Sequence, residues 1–203
     1  MKNKLLQLGN ITTKDFIKDP KRLAITLSRY KFVGKMFDGF EKVLEVGAGD
    51  GFKSISLKNN FRNFTITDIN VKKKLFFDKN YKFKNIKFKN HNFIKKPMND
   101  KFDGIFALDV LEHIDKKNEK KFIVNVKKSL KKNGSLIIGM PSLESQKYAS
   151  TLAKKGHVNC KTKESLKKFL KKHFGCVYMF SMNDEVLHTG FDKLSHYIIG
   201  IAN

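Results

Sequence analysis

Glu45, Gly47, Gly49 and Gly51 stand at alternate positions in Val43-Leu44-Glu45-Val46-Gly47-Ala48-Gly49-Asp50-Gly51, an apolar, β-branched run that ends in glycines. Glycine reaches backbone dihedrals closed to other residues and lets a ligand approach the main chain, so such a turn is suited to holding a cofactor. A dinucleotide fingerprint requires a glycine three positions after the second. Phe52 occupies that position and the third glycine, Gly51, comes one residue early, which disfavours NAD. Asp68 closes a second apolar run, Asn63-Phe64-Thr65-Ile66-Thr67-Asp68, nineteen positions beyond Gly49. That separation is close to the roughly 20 residues at which a nucleotide-binding βαβ unit sets an acid beside a ribose. A carboxylate accepts from two vicinal hydroxyls where an amide does not; the plainer reading has Asp68 capping the helix that follows. His157 and Cys160 carry metal-ligand chemistry, but two ligands without companions seldom make a site, and no metal is expected.

Strands must carry these residues and turns must present them. Strands are expected over 42–46, 63–68, Ile86-Lys87-Phe88, Phe102-Asp103-Gly104-Ile105-Phe106-Ala107-Leu108, Leu136-Ile137-Ile138, Val177-Tyr178-Met179-Phe180 and 196–201. Between them fall helical patterns: a helix over 51–58 after the glycine turn, a basic helix or loop over 72–81, and two later faces. The first of those faces is Phe122, Ile123, Val126 and Leu130, ended by Asn133-Gly134; the second is Leu166, Phe169, Leu170, His173 and Phe174. Asp19-Pro20 begins an earlier helix in which Leu23, Leu27, Tyr30, Val33 and Phe37 recur at helical spacing, and Asp38-Gly39 ends it. Residues 1–18 read as a short helix over the mouth of the site. Strands alternating with helices predict a mainly parallel α/β sheet, with ligands outside the carboxyl ends of its strands. The polar segments 140–160 and 181–190 then belong to the substrate side.

The E-x-G-x-G-x-G run from Glu45 to Gly51, Asp68 at its distance, and Phe102-Asp103 followed by Asp109-Val110-Leu111-Glu112-His113-Ile114 together resemble class I S-adenosylmethionine (SAM)-dependent methyltransferases of the small-molecule type. The resemblance spans about residues 40–140. It implies one Rossmann-like domain over 1–203, with a helical cap over 1–40, a SAM-binding core over 41–140, and an acceptor-binding lid with the final strands over 141–203. Its sheet is seven-stranded in the order 3-2-1-4-5-7-6, strand 7 antiparallel. SAM is the implied cofactor and S-adenosylhomocysteine the product. Glu45, Gly47, Ala48, Gly49, Asp68, Ile69, Asn92, Phe93, Leu108 and His113 are the implied cofactor residues. Among them Asn92 stands where an acid often accepts from the adenine amino group, and an amide carbonyl accepts the same bond. Phe93 lies against the adenine or in the core, and His113 is a cofactor wall in preference to an acid or base. Arg29 and Tyr30 are within reach of the SAM carboxylate, against the plainer reading of a surface arginine and a half-buried tyrosine.

SAM carries an activated methyl group, so aligning the acceptor is the main task; a base adds to this for a hydroxyl acceptor. Imidazole titrates near neutrality, which makes His157 and His188 the candidate bases, with Asp184 and Glu185 in reserve. Ser142, Gln146, Tyr148, Asn159 and Asn183 are the expected acceptor contacts. The D/N-P-P-Y/F signature of amine methylation on nucleic-acid bases is absent. The tail, Gly139-Met140-Pro141-Ser142-Leu143-Glu144-Ser145 through Gly156-His157-Val158-Asn159 and Ser181-Met182-Asn183-Asp184-Glu185, resembles a subgroup from bacterial surface-glycan gene clusters. The expected reaction is O-methylation of a small polar metabolite in capsule polysaccharide biosynthesis, such as a phosphoramidate or nucleotide-sugar intermediate.

Length and composition bound this reading. A chain of 203 residues suits one domain, and 42 Lys+Arg against 19 Asp+Glu give a formal charge of +23. Lysines occur in nearly every segment, so a solvated surface is favoured over a groove for polyanions, and a small acceptor, phosphate-bearing in one form of the reading, ranks above nucleic acid. An RNA methyltransferase and a noncatalytic SAM-binding module are the alternatives. Two cysteines without a C-x-x-C suggest a reducing compartment, and neither a signal-like start nor a long apolar run is seen, so a cytoplasmic location is expected. The oligomeric state is left open.

Overall fold

Val43, Leu44, Val46, Phe64 and Ile66 are all buried, and the strands that carry them lie side by side in the computed structural model, which describes residues 6–203. Contacts divide the chain into two compact bodies that meet in sequence at His91 and Asn92, within the expected 41–140 core. In the first body α1 (Asn10–Lys18) and α2 (Lys21–Met36) precede β1 (Lys42–Val46), β2 (Asn63–Asp68), α3 (Val71–Asn80) and β3 (Ile86–Asn90). β2 pairs parallel with β1 on one side and β3 on the other, the expected 3-2-1 order. Both faces of β2 are buried, which is why it reads as a continuous apolar run. Phe77 of α3 packs edge-on against Tyr81 and Phe88, with ring centroids 5.1 and 5.4 Å apart. At the start of α2, Asp19 Oδ1 accepts from Lys21 N–H at 3.2 Å, and Pro20 has no N–H to leave unsatisfied.

The helix expected over 51–58 is a 3-10 turn of five residues, Lys53–Leu57. Gly51 at φ +78° cannot begin a helix, and Ser54, Ile55 and Leu57 are all buried in the short turn that follows. Residues 1–5 of the expected cap lie outside the described residues.

The second body contains β4 (Phe102–Leu108), α4 (Lys116–Ser129), β5 (Leu130–Pro141), α5 (Thr151–Gly156), α6 (Lys163–Lys171), β6 (Val177–Asn183), β7 (Val186–His188) and β8 (Tyr197–Ala202). β4 and β5 are parallel; β8 returns antiparallel beside β5 and pairs antiparallel with β6. This is the expected 4-5-7-6 order with β8 as its seventh strand. The described residues hold eight strands, not seven, because the loop at 181–190 folds back as a hairpin. Asn183 pairs with Val186, leaving Asp184 and Glu185 as a two-residue turn with Asp184 at φ +49°.

α4 also ends earlier than Asn133-Gly134 suggests. Ser129 Oγ donates back to Asn125 O at 2.8 Å and accepts from Met98 N–H at 2.9 Å, and Leu130 already pairs with Phe102. The register shift between Phe102 and Gly104 takes up the extra residues. Gly134 belongs to this strand, where a methyl group would stand 3.0 Å from the carbonyl oxygens of Phe102 and Asp103. α6 starts at a cap, Thr162 Oγ1 accepting from Ser165 N–H at 3.0 Å, and buries Leu166, Phe169 and Leu170 of the expected face; it ends at Lys171, before His173 and Phe174. No helix among the described residues is long and apolar enough to cross a membrane.

Candidate functional site

In the first body the glycine turn is tied to the end of β2. Gly47 and Ala48 both donate to Thr67 O, at 2.8 and 2.9 Å, and Gly49 N–H donates to Asp68 Oδ2 at 3.0 Å. Gly47, Gly49 and Gly51 all have positive φ, but they serve different ends. A methyl group at Gly49 would meet no atom of the described residues within 4 Å; at Gly51 it would lie 2.4 Å from the Phe77 ring. Gly49 therefore presents open main chain, and Gly51 is small so that α3 can pack.

Asp68 is 6% exposed. Its Oδ1 accepts from Asn70 N–H at 2.8 Å, and its Oδ2 accepts from Lys73 Nζ at 3.1 Å besides Gly49. The cap of α3 is Asn70, whose side chain accepts from Lys72 N–H, so the acid is held against the turn and the helix is capped by its neighbour. Ile69, beside it, is exposed.

Glu45 lies beneath the turn with its oxygens taken by protein hydroxyls, Tyr30 at 2.6 Å and Ser54 at 2.5 Å. Burial pushes this carboxyl up to about 7, against the downward pull of those two hydrogen bonds. Tyr30 is buried rather than half-buried and is committed to Glu45. The start of α1 lies on the turn: Thr12 Oγ1 donates to Asp50 Oδ2 at 2.7 Å, and Tyr81 Oη donates to Gln7 O.

In the second body Asn92 Oδ1 accepts from Ile94 N–H at 2.9 Å, so the carbonyl expected to meet an adenine amino group closes a local turn. Phe93 is buried edge-on to Phe122, centroids 6.4 Å apart, the core position that was its alternative. Leu108 is buried opposite Gly139. Asp109, next in the chain, has φ +58°, uncommon for a residue with a side chain, and its N–H donates to Gly139 O at 3.0 Å. The one local signal for this is an aspartate directly after an apolar strand, since aspartate is among the residues that tolerate this conformation.

His113 and His157 meet edge to face, with ring centroids 5.1 Å apart. His113 Nδ1 is 2.9 Å from Gly156 O, and His157 Nδ1 is 2.8 Å from Gln146 Oε1. A carbonyl oxygen only accepts, so each ring carries a proton on Nδ1, and in the neutral tautomer the lone pair lies on Nε2. Gln146 is oriented by its Nε2, which donates to Ser142 O at 3.1 Å. Burial, then the nearby His113, lowers the pKa of His157. Glu112 is fully buried next to this pair, and one ligand atom from each of Glu112, His113 and His157 lies within 4.8 Å of the others. Glu112 was legible only as a charge inside Val110-Leu111-Glu112-His113-Ile114. Cys160 is not in the cluster; burial and the charge of Glu112 push its thiol up to about 11.

Other expected contacts are spent on structure. His188 Nδ1 accepts from Gly190 N–H at 3.1 Å and its Nε2 donates to Asn183 Oδ1 at 2.9 Å, so no lone pair remains for a base. Asn183 completes the hairpin through Leu194 O at 3.2 Å, and Asp184 and Glu185 form its exposed turn. Ser142 is fully buried, donating to Ser195 O at 2.6 Å and accepting from Ser145 N–H at 3.1 Å. Asn159 joins a buried network, donating to Glu119 Oε2 at 3.0 Å and accepting from Lys161 Nζ at 3.2 Å. Tyr148 stands 81% exposed under Lys147 Nζ, 4.7 Å from its ring centre.

The family model described as a methyltransferase domain matches residues 17–178. Among solved structures, an S-adenosylmethionine-dependent methyltransferase from Clostridium acetobutylicum ATCC 824 superposes with a TM-score of 0.70 at 15% identity, covering 96% of this chain and 98% of that one. The N-methyltransferase NodS from Bradyrhizobium japonicum WM9 in complex with S-adenosyl-L-homocysteine gives a TM-score of 0.60 at 16% identity, covering 92% and 86%. A DhpI–SAH complex gives 0.62 at 14% identity, covering 80% and 76%. No curated protein matches the chain. The chain belongs to the methyltransferase domain family, with the Rossmann-like α/β fold of the class I enzymes that use SAM.

Proposed function

We propose that this methyltransferase, working as one catalytic domain over 1–203 in the cytoplasm, methylates an oxygen of a small polar acceptor, a phosphate-bearing glycan precursor being the favoured class. The observation that carries the oxygen acceptor is the His113–His157 pair, brought together from the turn after β4 and the end of α5, with each Nδ1 held by Gly156 O or Gln146 Oε1. Such a pair withdraws a hydroxyl proton, a contribution of about 10²- to 10⁴-fold, which an already neutral amine acceptor does not need. Exposed Lys147, Lys154 and Lys155, on the segment leading to His157, support a phosphate on the acceptor. The glycan class rests on the resemblance of the 139–159 and 181–185 segments.

SAM, when bound, supplies a methyl group already activated on a sulfonium, and two features of the first body fit it. Gly49 offers open main chain, and Asp68, whose Oδ2 already accepts from Gly49 and Lys73, keeps an acceptor position on Oδ1 for a ribose hydroxyl. The test is calorimetric titration of SAM, followed by incubation with methyl-labelled SAM and hydroxyl- or amine-bearing sugar phosphates, nucleotide sugars and RNA. Asp68→Ala is expected to weaken SAM about 10- to 100-fold, the loss of charge-assisted hydrogen bonds. Label on an amine overturns the oxygen acceptor, and label on RNA alone overturns the small acceptor.

A further inference from the structure

We propose that Glu112, His113 and His157 bind one divalent first-row transition-metal ion of the kind that takes imidazole nitrogen and carboxylate oxygen together. The three residues come from two segments, His113 and His157 being 44 positions apart, so the fold, not local sequence, brings them together. One ligand atom of each lies within 4.8 Å of the others. Two imidazoles and a carboxylate suit zinc, cobalt and manganese, and leave positions open on the ion.

The surroundings of the two rings point the same way. Metal-bound histidines almost always donate the other ring N–H to a carbonyl or carboxylate, which fixes the tautomer and aims the lone pair. Both rings do this here, through Gly156 O and Gln146 Oε1. The support extends a layer further: Gln146 is held by Ser142 O, and Ser142 is fully buried and bonded to Ser195 O. On the other side Asn159 N–H donates to Glu112 O at 3.0 Å, fixing the main chain that carries the carboxylate. Glu112 is buried while His113 is exposed and His157 half-buried, so the two rings have room to close on an ion at roughly 2.0–2.1 Å. A pair of histidines packed only for their ring contact needs no buried acid beside it and no carbonyl on each Nδ1.

The use of this ion rests on the methyltransferase reading given above, but its binding does not. An ion with open positions holds an acceptor oxygen and favours its deprotonated form. The hydroxyl proton leaves to solvent, the oxygen lone pair forms the new bond to the methyl carbon, and the electrons of the broken carbon–sulfur bond stay on sulfur. With the ion bound, His157 is a ligand and the ion promotes loss of the proton; in the metal-free protein the imidazole pair is the base described above.

The test uses the full chain stripped with a chelator and titrated with Co(II) alone, by calorimetry and visible absorption. One Co(II) per chain is expected. His113→Ala and His157→Ala should each weaken binding at least about 100-fold, and Gln146→Ala about 10- to 100-fold through the loss of ring orientation. His188→Ala should change nothing. His113 is exposed, so His113→Ala is expected to fold even if a change at buried Glu112 does not. Absence of saturable binding below millimolar Co(II), or binding that survives the His113→Ala, His157→Ala double variant, overturns the proposal. A SAM titration of the chelated protein separates the two readings. SAM heat without cobalt binding removes the ion alone, and cobalt binding without SAM heat removes the methyltransferase reading alone.

Discussion

Glu45 shows how one residue in a cofactor motif can be structural in its contacts. Its oxygens are occupied by Tyr30 and Ser54, so it fixes the floor of the turn, and the open surface above belongs to Gly49. The folded chain holds this carboxyl at about 7 against an ordinary 4.5, so folding favours the protonated acid. Stability is therefore full below about pH 4.5 and falls as pH rises through 7, by about 3 kcal/mol once the group has ionised in both states. Denaturant unfolding of the wild type and Glu45→Gln between pH 5 and 8.5 measures this. The wild type should lose ground to the variant as pH rises, and parallel curves would remove the argument.

At the scale of elements, the turn and α3 make a paired prediction. Gly51→Ala drives a methyl group into Phe77 at φ +78° and should destabilise the fold by about 2–3 kcal/mol. Gly49→Ala enters open space at φ +62°, so it should cost about 1 kcal/mol of stability while weakening SAM at least about 10-fold. Thermal melts set beside SAM titrations distinguish the two, and equal losses of affinity at matched stability would show that Gly49 faces no ligand. The same elements show what the sequence discloses. β2 and β4 were legible to the residue because their apolar runs are bounded by polar or turn residues at both ends. The end of α4 was not, because Asn133-Gly134 imitates a helix stop while the deciding bond, Met98 N–H to Ser129 Oγ, joins residues 31 apart. Gly49 and Asp68 were legible as a candidate site because they lie at neighbouring strand ends at a known spacing. The Glu112, His113 and His157 grouping was not, since nothing local announces that α5 delivers His157 to the end of β4.

Over the whole molecule the formal charge of +23 opposes compaction, because lysines on every segment repel one another with few acids between them. Raising NaCl from about 50 to about 500 mM should screen this and add about 1 kcal/mol, a rise of roughly 2–4 °C in Tm. A Tm that falls with salt would instead mean that ion pairs such as Lys161–Glu119 at 2.7 Å outweigh the repulsion. The anchoring of Ser142 carries a different implication, for the order in which the protein becomes competent during synthesis. Ser142 donates to the carbonyl of Ser195, 53 residues later, and its own N–H reaches His196 O. A nascent chain can complete the glycine turn and its aspartate while the ribosome is still far from residue 195, but it cannot yet hold Gln146 or aim His157. On the function proposed above, the turn for SAM therefore matures ahead of the acceptor side, and translation halted near residue 190 would leave the first without the second.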